Sequence, residues 1–240
     1  MLPIKDDNPQ FQTPIVTYSI ILVNLLAWFF FQGFGDDKVI YQSVCKFGLI
    51  PADLINNFST NTSQWSCPPD DGVGMIGFIT AMFMHGSWMH LLGNMWFLWV
   101  FGDNVEDAMG RLSFLKFYLL CGMVASLTHV LINFNSAVPM VGASGAIGGV
   151  MGAYIMLYPK VRVHLLMILV VFITTIRVPA FLMLGYWAFL QYIGIITSSS
   201  GLSGVAHWAH IGGFISGAIL VYFFKDQELL AKHPYYGWHK

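Results

Sequence analysis

The chain has 240 residues, of which 56% are hydrophobic and only 10% charged, with a mean hydropathy of +0.65. Such apolar content exceeds what a soluble core of this size can bury, so an integral membrane protein is expected. A net charge of -1 and a pI near 6.7 leave no basic surface for nucleic acid.

The first predicted span runs from Thr13 to Phe34, nearly uncharged and long enough to cross roughly 30 Å of hydrocarbon. It has neither a basic stretch before it nor a small-residue cleavage site after it, and is read as a retained helix with no signal peptide. A long loop follows from Gly35 to about Gly77, with Asp36, Asp37, Asp53, Asp70 and Asp71 and a Ser/Thr/Asn-rich centre at Ser59 to Ser63. Of the three cysteines, Cys121 lies in an apolar run and reads as packing, whereas Cys45 and Cys67 share this loop and can pair if it faces an oxidising compartment. The second span is Met89 to Phe101, with Phe78 to Met84 as a possible earlier start. Gly102 to Arg111 reads as a charged connection and Phe114 to Phe134 as the third span.

A fourth apolar run opens at Ser144 and lasts only about 15 residues before Tyr158-Pro159, short enough to start below the membrane surface. Lys160 to Arg177 has two readings, a further span or a link along the interface. The charges at both ends and Pro179 favour the link. Ala180 to Ile196 is the fifth span, Thr197 to Gly204 a polar turn and Val205 to Phe224 the sixth. The expected fold is therefore all-α, a single polytopic membrane domain over residues 1–240, with a six-helix core at about 13–224 and short tails at 1–12 and 225–240. With six spans both termini share one side, which carries nine Lys and Arg residues against two on the other. By the positive-inside rule that side is cytoplasmic.

The chemistry centres on Gly142-Ala143-Ser144-Gly145. Two glycines let the backbone turn tightly and present Ser144 at a helix start, where unsatisfied N–H groups can receive a developing negative charge. Alone, the pattern more often marks close packing between membrane helices. His210 lies inside the sixth span, where an ionisable side chain is costly and is therefore a candidate functional group. A neutral imidazole beside Ser144 can act as general base and then as acid toward a leaving amine; the alternative is a hydrogen bond that merely joins helices. Gly145, Gly148, Gly149 and Gly152 on one helix and Gly213 and Gly217 on the other give smooth faces for a near backbone contact. His90 and Asn94, four apart, share a helix face as candidate oxyanion donors, or as interhelical glue. In the six-span topology all of these groups lie near the outer ends of their helices. His85, His129 and His207 have a weaker case, and no histidine, cysteine or carboxylate set has metal-ligand spacing, so neither metal nor cofactor is expected.

Together these residues resemble the rhomboid family of intramembrane serine proteases. The resemblance covers roughly Ile76 to Gly217: Met89-His90-Leu91-Leu92-Gly93-Asn94, Phe101-Gly102 with Val105-Glu106 and Gly110, Gly142-Ala143-Ser144-Gly145-Ala146, and Ala209-His210-Ile211-Gly212-Gly213 with Gly217. It implies a six-helix core opening outward, Ser144 as nucleophile, His210 as base in a dyad without a carboxylate, and His90 and Asn94 at the oxyanion site. The implied substrates are transmembrane proteins, typically single-span, cut in the lipid bilayer near the outer end of their helix where Gly, Pro or polar residues ease unwinding. Two positions depart from the family pattern: Ile76-Gly77 stand where many rhomboids carry Trp-Arg, and Gly148 stands where the best-known bacterial type has a Tyr stacked on the catalytic His. What orients His210 is left open. The fifth span and the turn at Ser198 to Ser203 are expected to gate access, with Trp187 and Phe189 packing the gate. The rival from another class is a catalytically inactive relative that binds membrane-protein clients, as derlin-like members do. The charge bias points to a bacterial cytoplasmic membrane, with an organelle membrane as alternative.

Overall fold

The computed structural model describes residues 2–55, 66–69, 71–169, 172–197 and 205–236. Strand β1 (Leu2–Asp6) precedes helix α1 (Ile15–Phe30), then α2 (Asp37–Phe47), α3 (Pro51–Ile55) and the short α4 (Gly77–Thr80). Helices α5 (Trp88–Met109), α6 (Arg111–Ile132) and α7 (Ser144–Leu157) follow, then strands β2 (Arg162–Leu169) and β3 (Phe172–Pro179), and finally α8 (Ala180–Thr197), α9 (His207–Phe224) and α10 (Gln227–Ala231). The chain is thus mostly helical. Helices α6, α8 and α9 are long and apolar enough to cross a membrane, and the segment Gly74–Phe83 joins α5 as a fourth candidate bent by 77°. Helices α1 and α7 are apolar but shorter.

Helix α7 is the hub. Eleven of its 14 residues are buried, because it is apolar all round and α5, α6 and α9 pack on it. At 14 residues it is about 21 Å long, short of a full bilayer crossing. The outward faces of α1, α8 and α9 instead expose Leu22, Phe30, Leu182, Tyr192, Ile219 and Phe223, the arrangement expected of helices solvated by lipid.

The all-α expectation needs correction at two places. Arg162–Leu169 and Phe172–Pro179 pair as antiparallel strands, with Arg162 opposite Pro179 and Leu169 opposite Phe172, and β1 adds to them antiparallel to make the sheet β1-β2-β3. The run is rich in Val, Ile and Thr, which fit a pleated surface, and alternate residues Val163 and Leu165 are buried. Its two ends do meet, as expected of a link: the Ala180 N–H donates to the Val161 carbonyl at 2.8 Å and the Phe181 N–H to that of Pro159 at 3.0 Å. The supposed N-terminal tail is therefore an edge strand.

The second correction concerns Gly102 to Arg111, which is not a connection: α5 continues to Met109 and ends at Gly110, whose φ of 76° suits glycine. The carboxylates there are used on the backbone. Glu106 accepts from the N–H groups of Val16 (3.0 Å) and Thr17 (2.8 Å) and from the Thr17 hydroxyl (2.8 Å), capping α1 from a different helix. Asp107 likewise accepts from the N–H groups of Phe11 (2.7 Å) and Gln12 (3.0 Å).

At the opposite end, the first loop packs against the segment leading to Ser144. Leu49 and Met140 exchange backbone hydrogen bonds (3.0 and 2.8 Å), the Ala52 N–H donates to Ser136 (3.0 Å) and the Cys67 N–H to Ala137 (3.0 Å). Cys45 and Cys67 form a disulfide, while Cys121 is free and buried. The Ser59 to Ser63 stretch and Asp70 lie outside the described residues.

Replacing Glu106 with Ala should lower stability by about 2–3 kcal/mol, the scale for charge-assisted hydrogen bonds at a buried carboxylate, read as a fall in thermal midpoint in detergent. Asp6, whose carboxyl accepts from the Tyr154 hydroxyl, has its pKa raised to about 6 by burial, with that hydrogen bond acting in the opposite sense. Because the folded pKa exceeds the unfolded value of 3.8, this carboxyl favours the docked strand at low pH, and the contribution is lost as pH rises through about 6. Amide exchange over residues 2–6 should therefore be faster at pH 7.5 than at pH 5 after correction for intrinsic rates, and Asp6→Asn should abolish the difference.

Candidate active site

The site forms where the starts of α5, α7 and α9 meet. Gly142 adopts φ 115°, a conformation that side chains rarely tolerate, and its N–H donates to the Ala81 carbonyl at 2.8 Å. This fixes the turn that delivers Ser144 as the first residue of α7. His210 sits in the first turn of α9, half-buried.

What brings the two together is glycine. A Cβ built on Gly217 would lie 1.9 Å from the Gly149 carbonyl oxygen, one on Gly213 2.0 Å from that of Gly145, and one on Gly152 2.0 Å from that of Phe214. Helices α7 and α9 thus touch backbone to backbone, and His210 Nε2 reaches Ser144 Oγ at 2.7 Å.

The other side of the imidazole was not anticipated. Nδ1 of His210 lies 2.8 Å from Gln191 Oε1, and Nδ1 of His207 lies 2.9 Å from the same oxygen. A carbonyl oxygen only accepts, so both Nδ1 atoms carry hydrogen, and Nε2 of His210 is left to accept from the Ser144 hydroxyl. The Gln191 amide nitrogen meets the Trp187 carbonyl at 3.5 Å, which agrees with this orientation. The Trp187 ring lies 5.8 Å from that of His210 and 5.9 Å from Phe214, tilted 38° and 35°.

Trp187 also accounts for Gly148: an added Cβ there would be 3.0 Å from the His210 carbonyl oxygen and 3.6 Å from the Trp187 ring. The indole from α8 occupies ground beside the histidine that an aromatic on α7 would otherwise claim. Phe189, by contrast, is exposed and packs no gate, and the turn at Ser198 to Ser203 lies outside the described residues. Gln191 was detectable in principle, as the one amide within the fifth span, where a polar side chain is itself a signal.

His90 and Asn94 converge on the turn before Ser144. A Cβ on Gly142 would stand 2.6 Å from His90 Nε2 and 3.4 Å from Asn94 Nδ2. Asn94 Nδ2 is buried with no hydrogen-bond partner among the described residues, and the Gly86 N–H donates weakly to His90 Nδ1 at 3.4 Å, leaving Nε2 as the donor. A small cavity of about 10 Å3 adjoins Ser144, lined by Gly122, Ala125, Ser126, Ala146 and Ala209 among others.

Of the weaker candidates, His207 shares the Gln191 oxygen with His210 and the His85 ring stands edge-on to that of His90 at 5.1 Å. His129 meets Asn133 on its own helix, at 3.4 Å. At His85 it is the backbone that is fixed, its N–H donating to Gln32 Oε1 (2.8 Å) and its carbonyl accepting from Gln32 Nε2 (2.7 Å). Among the described residues no group of three His, Cys, Asp or Glu side chains is placed to hold a metal ion.

The family model described as Rhomboid domain matches residues 73–227. The chain belongs to the rhomboid family. Among its relatives, the chloroplastic rhomboid-like protein 11 of Arabidopsis thaliana is 34% identical over 167 residues, 65% of this chain and 53% of that protein. The mitochondrial rhomboid-like protein 6 of the same plant is 30% identical over 160 residues, 67% and 45% of the two chains. Rhomboid protein 1 of Saccharomyces cerevisiae, also mitochondrial, is 30% identical over 151 residues, 60% and 40%. This rhomboid thus spans about half the length, or less, of these relatives.

Substitution of Gly217 by Ala should force α7 and α9 apart, because the obstructing atom is backbone and cannot rotate away. Displacements near 1 Å cost about 100-fold in catalytic sites; at least a tenfold loss of Ser144 reactivity toward a fluorophosphonate is expected. Gly185→Ala, where nothing lies within 4 Å of the new Cβ, should leave reactivity unchanged.

Proposed function

We propose that this rhomboid is an intramembrane serine endopeptidase that cuts transmembrane segments of other proteins with Ser144 and His210. The observation that carries this is the 2.7 Å contact from His210 Nε2 to Ser144 Oγ, made between two helices with the far nitrogen held by an acceptor. His210 Nε2 takes the hydroxyl proton as Oγ attacks the peptide carbonyl. The oxyanion is received by the N–H at the start of α7, by Asn94 Nδ2 and by His90 Nε2. His210 then gives its proton to the leaving amine, an acyl-enzyme remains on Ser144, and water activated by the same imidazole releases it. The small cavity beside Ser144 favours a small side chain next to the cut bond.

In this reading α1, the bent α4–α5 segment, α6, α8 and α9 cross the bilayer and α7, with the chain leading into it, makes the sixth pass, with both termini on the positive side. The disulfide in the first loop supports the opposite side being oxidising. The site opens toward that side, and α8 is the gate through which a substrate helix enters. The organelle names of the relatives put an organelle membrane beside the bacterial cytoplasmic membrane as the host.

The test needs no substrate. A fluorophosphonate probe should label the purified protein in detergent, and both Ser144→Ala and His210→Ala should reduce labelling to background, at least about 1000-fold below wild type; chelator should have no effect. A folded wild-type protein that resists probes of several sizes would favour the client-binding relative instead.

A further inference from the structure

Helix α8 is the least embedded of the helices around the site. Of its 18 residues only Ala180 and Leu184 are buried, yet one of its faces is keyed closely to α9. Trp187 lies against His210 and Phe214, Gln191 bridges His210 and His207, and Gly194 leaves room for the His207 ring, whose nearest atom would stand 2.3 Å from an added Cβ. These residues recur at positions 184, 187, 191 and 194, the spacing of a single helix face.

We propose that Gln191 is a positioning residue for the dyad: its Oε1 holds His210 in the Nδ1–H form that leaves Nε2 free to accept from Ser144. The proposal rests on the reading of Ser144 and His210 as nucleophile and base. A neutral imidazole has two tautomers, and the Nε2–H form cannot take the serine proton. Gln191 selects against it, because an amide oxygen facing Nδ1 is satisfied only by N–H. When His210 becomes an imidazolium, the same oxygen faces an Nδ1–H that carries part of the charge, doing with a dipole what a carboxylate does in a triad. His207 has the complementary task of keeping the amide the right way round. If the amide turned over, its NH2 would require both Nδ1 atoms bare and its oxygen would face the Trp187 carbonyl, which now lies 3.5 Å from the amide nitrogen.

The position of Gln191 on α8 adds a consequence. The helix that must move for a substrate to enter also carries the group that readies the base. The dyad is ordered while α8 is docked and loses its tautomer selection while α8 is displaced, so cleavage waits until α8 returns.

The experiment uses the full chain in detergent with three variants. Gln191→Met keeps the length and removes the acceptor, Gln191→Glu keeps an acceptor, and His207→Ala frees the amide. With a fluorophosphonate probe the Met variant should react about 10-fold to 100-fold more slowly than wild type; a tautomer error in a comparable imidazole site costs about 10⁴-fold, and here the correct form stays partly populated. The Glu variant should react within about threefold of wild type and His207→Ala should fall between. Nitrogen spectra of 15N-histidine protein, with His210 assigned by its loss in His210→Ala, should show the Nδ1–H tautomer in wild type and a mixture in Gln191→Met. Equal labelling of wild type and the Met variant would overturn the proposal, as would a wild-type His210 found as Nε2–H. The spectrum reads the tautomer whether or not the protein cleaves anything, so the second result stands even if Gln191→Met fails to fold. Absence of labelling in wild type, with Nδ1–H still set by Gln191, would overturn the protease reading and leave the hold of Gln191 on His210 in place.

Discussion

Everything at the site depends on two helix backbones being able to touch. Between apolar helices in lipid there is little hydrophobic gain from association, and van der Waals contact with interhelical hydrogen bonds must supply the attraction. The glycines of α7 and α9 allow that contact at three successive levels, at Gly145 with Gly213, at Gly149 with Gly217 and at Gly152 with Phe214. A serine hydroxyl is short, and an imidazole reaches it only if the helix carrying the imidazole is about one side chain closer than usual. The glycine stripe is therefore as much a part of the contact as the two groups that make the hydrogen bond.

Polar groups inside this apolar chain are set against backbone more often than against one another. Glu106 and Asp107 take up N–H groups at and before the start of α1, and Gln32 closes both hydrogen bonds of the His85 peptide. Each solves the same problem: a helix end or a bend leaves donors and acceptors that hydrocarbon cannot satisfy. Some buried groups go unsatisfied among the described residues, among them atoms of Asn24, His85, Asn104 and Tyr118; the Asn94 amide nitrogen is another, and it is directed at the turn before Ser144. A buried donor without an acceptor is costly, and an oxyanion forming there would supply what it lacks.

Much of this was legible in the sequence because the relevant signals are local. Ser144 is bracketed by glycines, His210 is ionisable within an apolar run, and His90 and Asn94 are one helical turn apart. Span positions followed from length and hydropathy to within a few residues at α6, α7, α8 and α9. The missed features depend on partners far away in the chain. Nothing near Leu2–Asp6 announces a strand, since its partner begins at Arg162. The β-branched run after Lys160 is as apolar as a helix and declares itself only by pairing. The carboxylates at 106 and 107 looked like a loop because their acceptor role is filled by backbone some ninety residues earlier. Gln191 looked like an ordinary residue of the fifth span, because the two histidines that share its oxygen lie on another helix.

The sheet has a consequence for the order in which the molecule is made. Leu2 pairs with Leu166 and Asp6 with Val163, so a strand made before α1 waits for partners that follow α1, α5, α6 and α7. Throughout that interval α5, α6 and α7 can already pack on one another, while α9 is still to come and β1 has no edge to join. Closure of the sheet is thus a late event that records the completion of the first two thirds of the chain. A molecule arrested before residue 162 would present β1 unpaired, a difference that proteolytic quality control could detect.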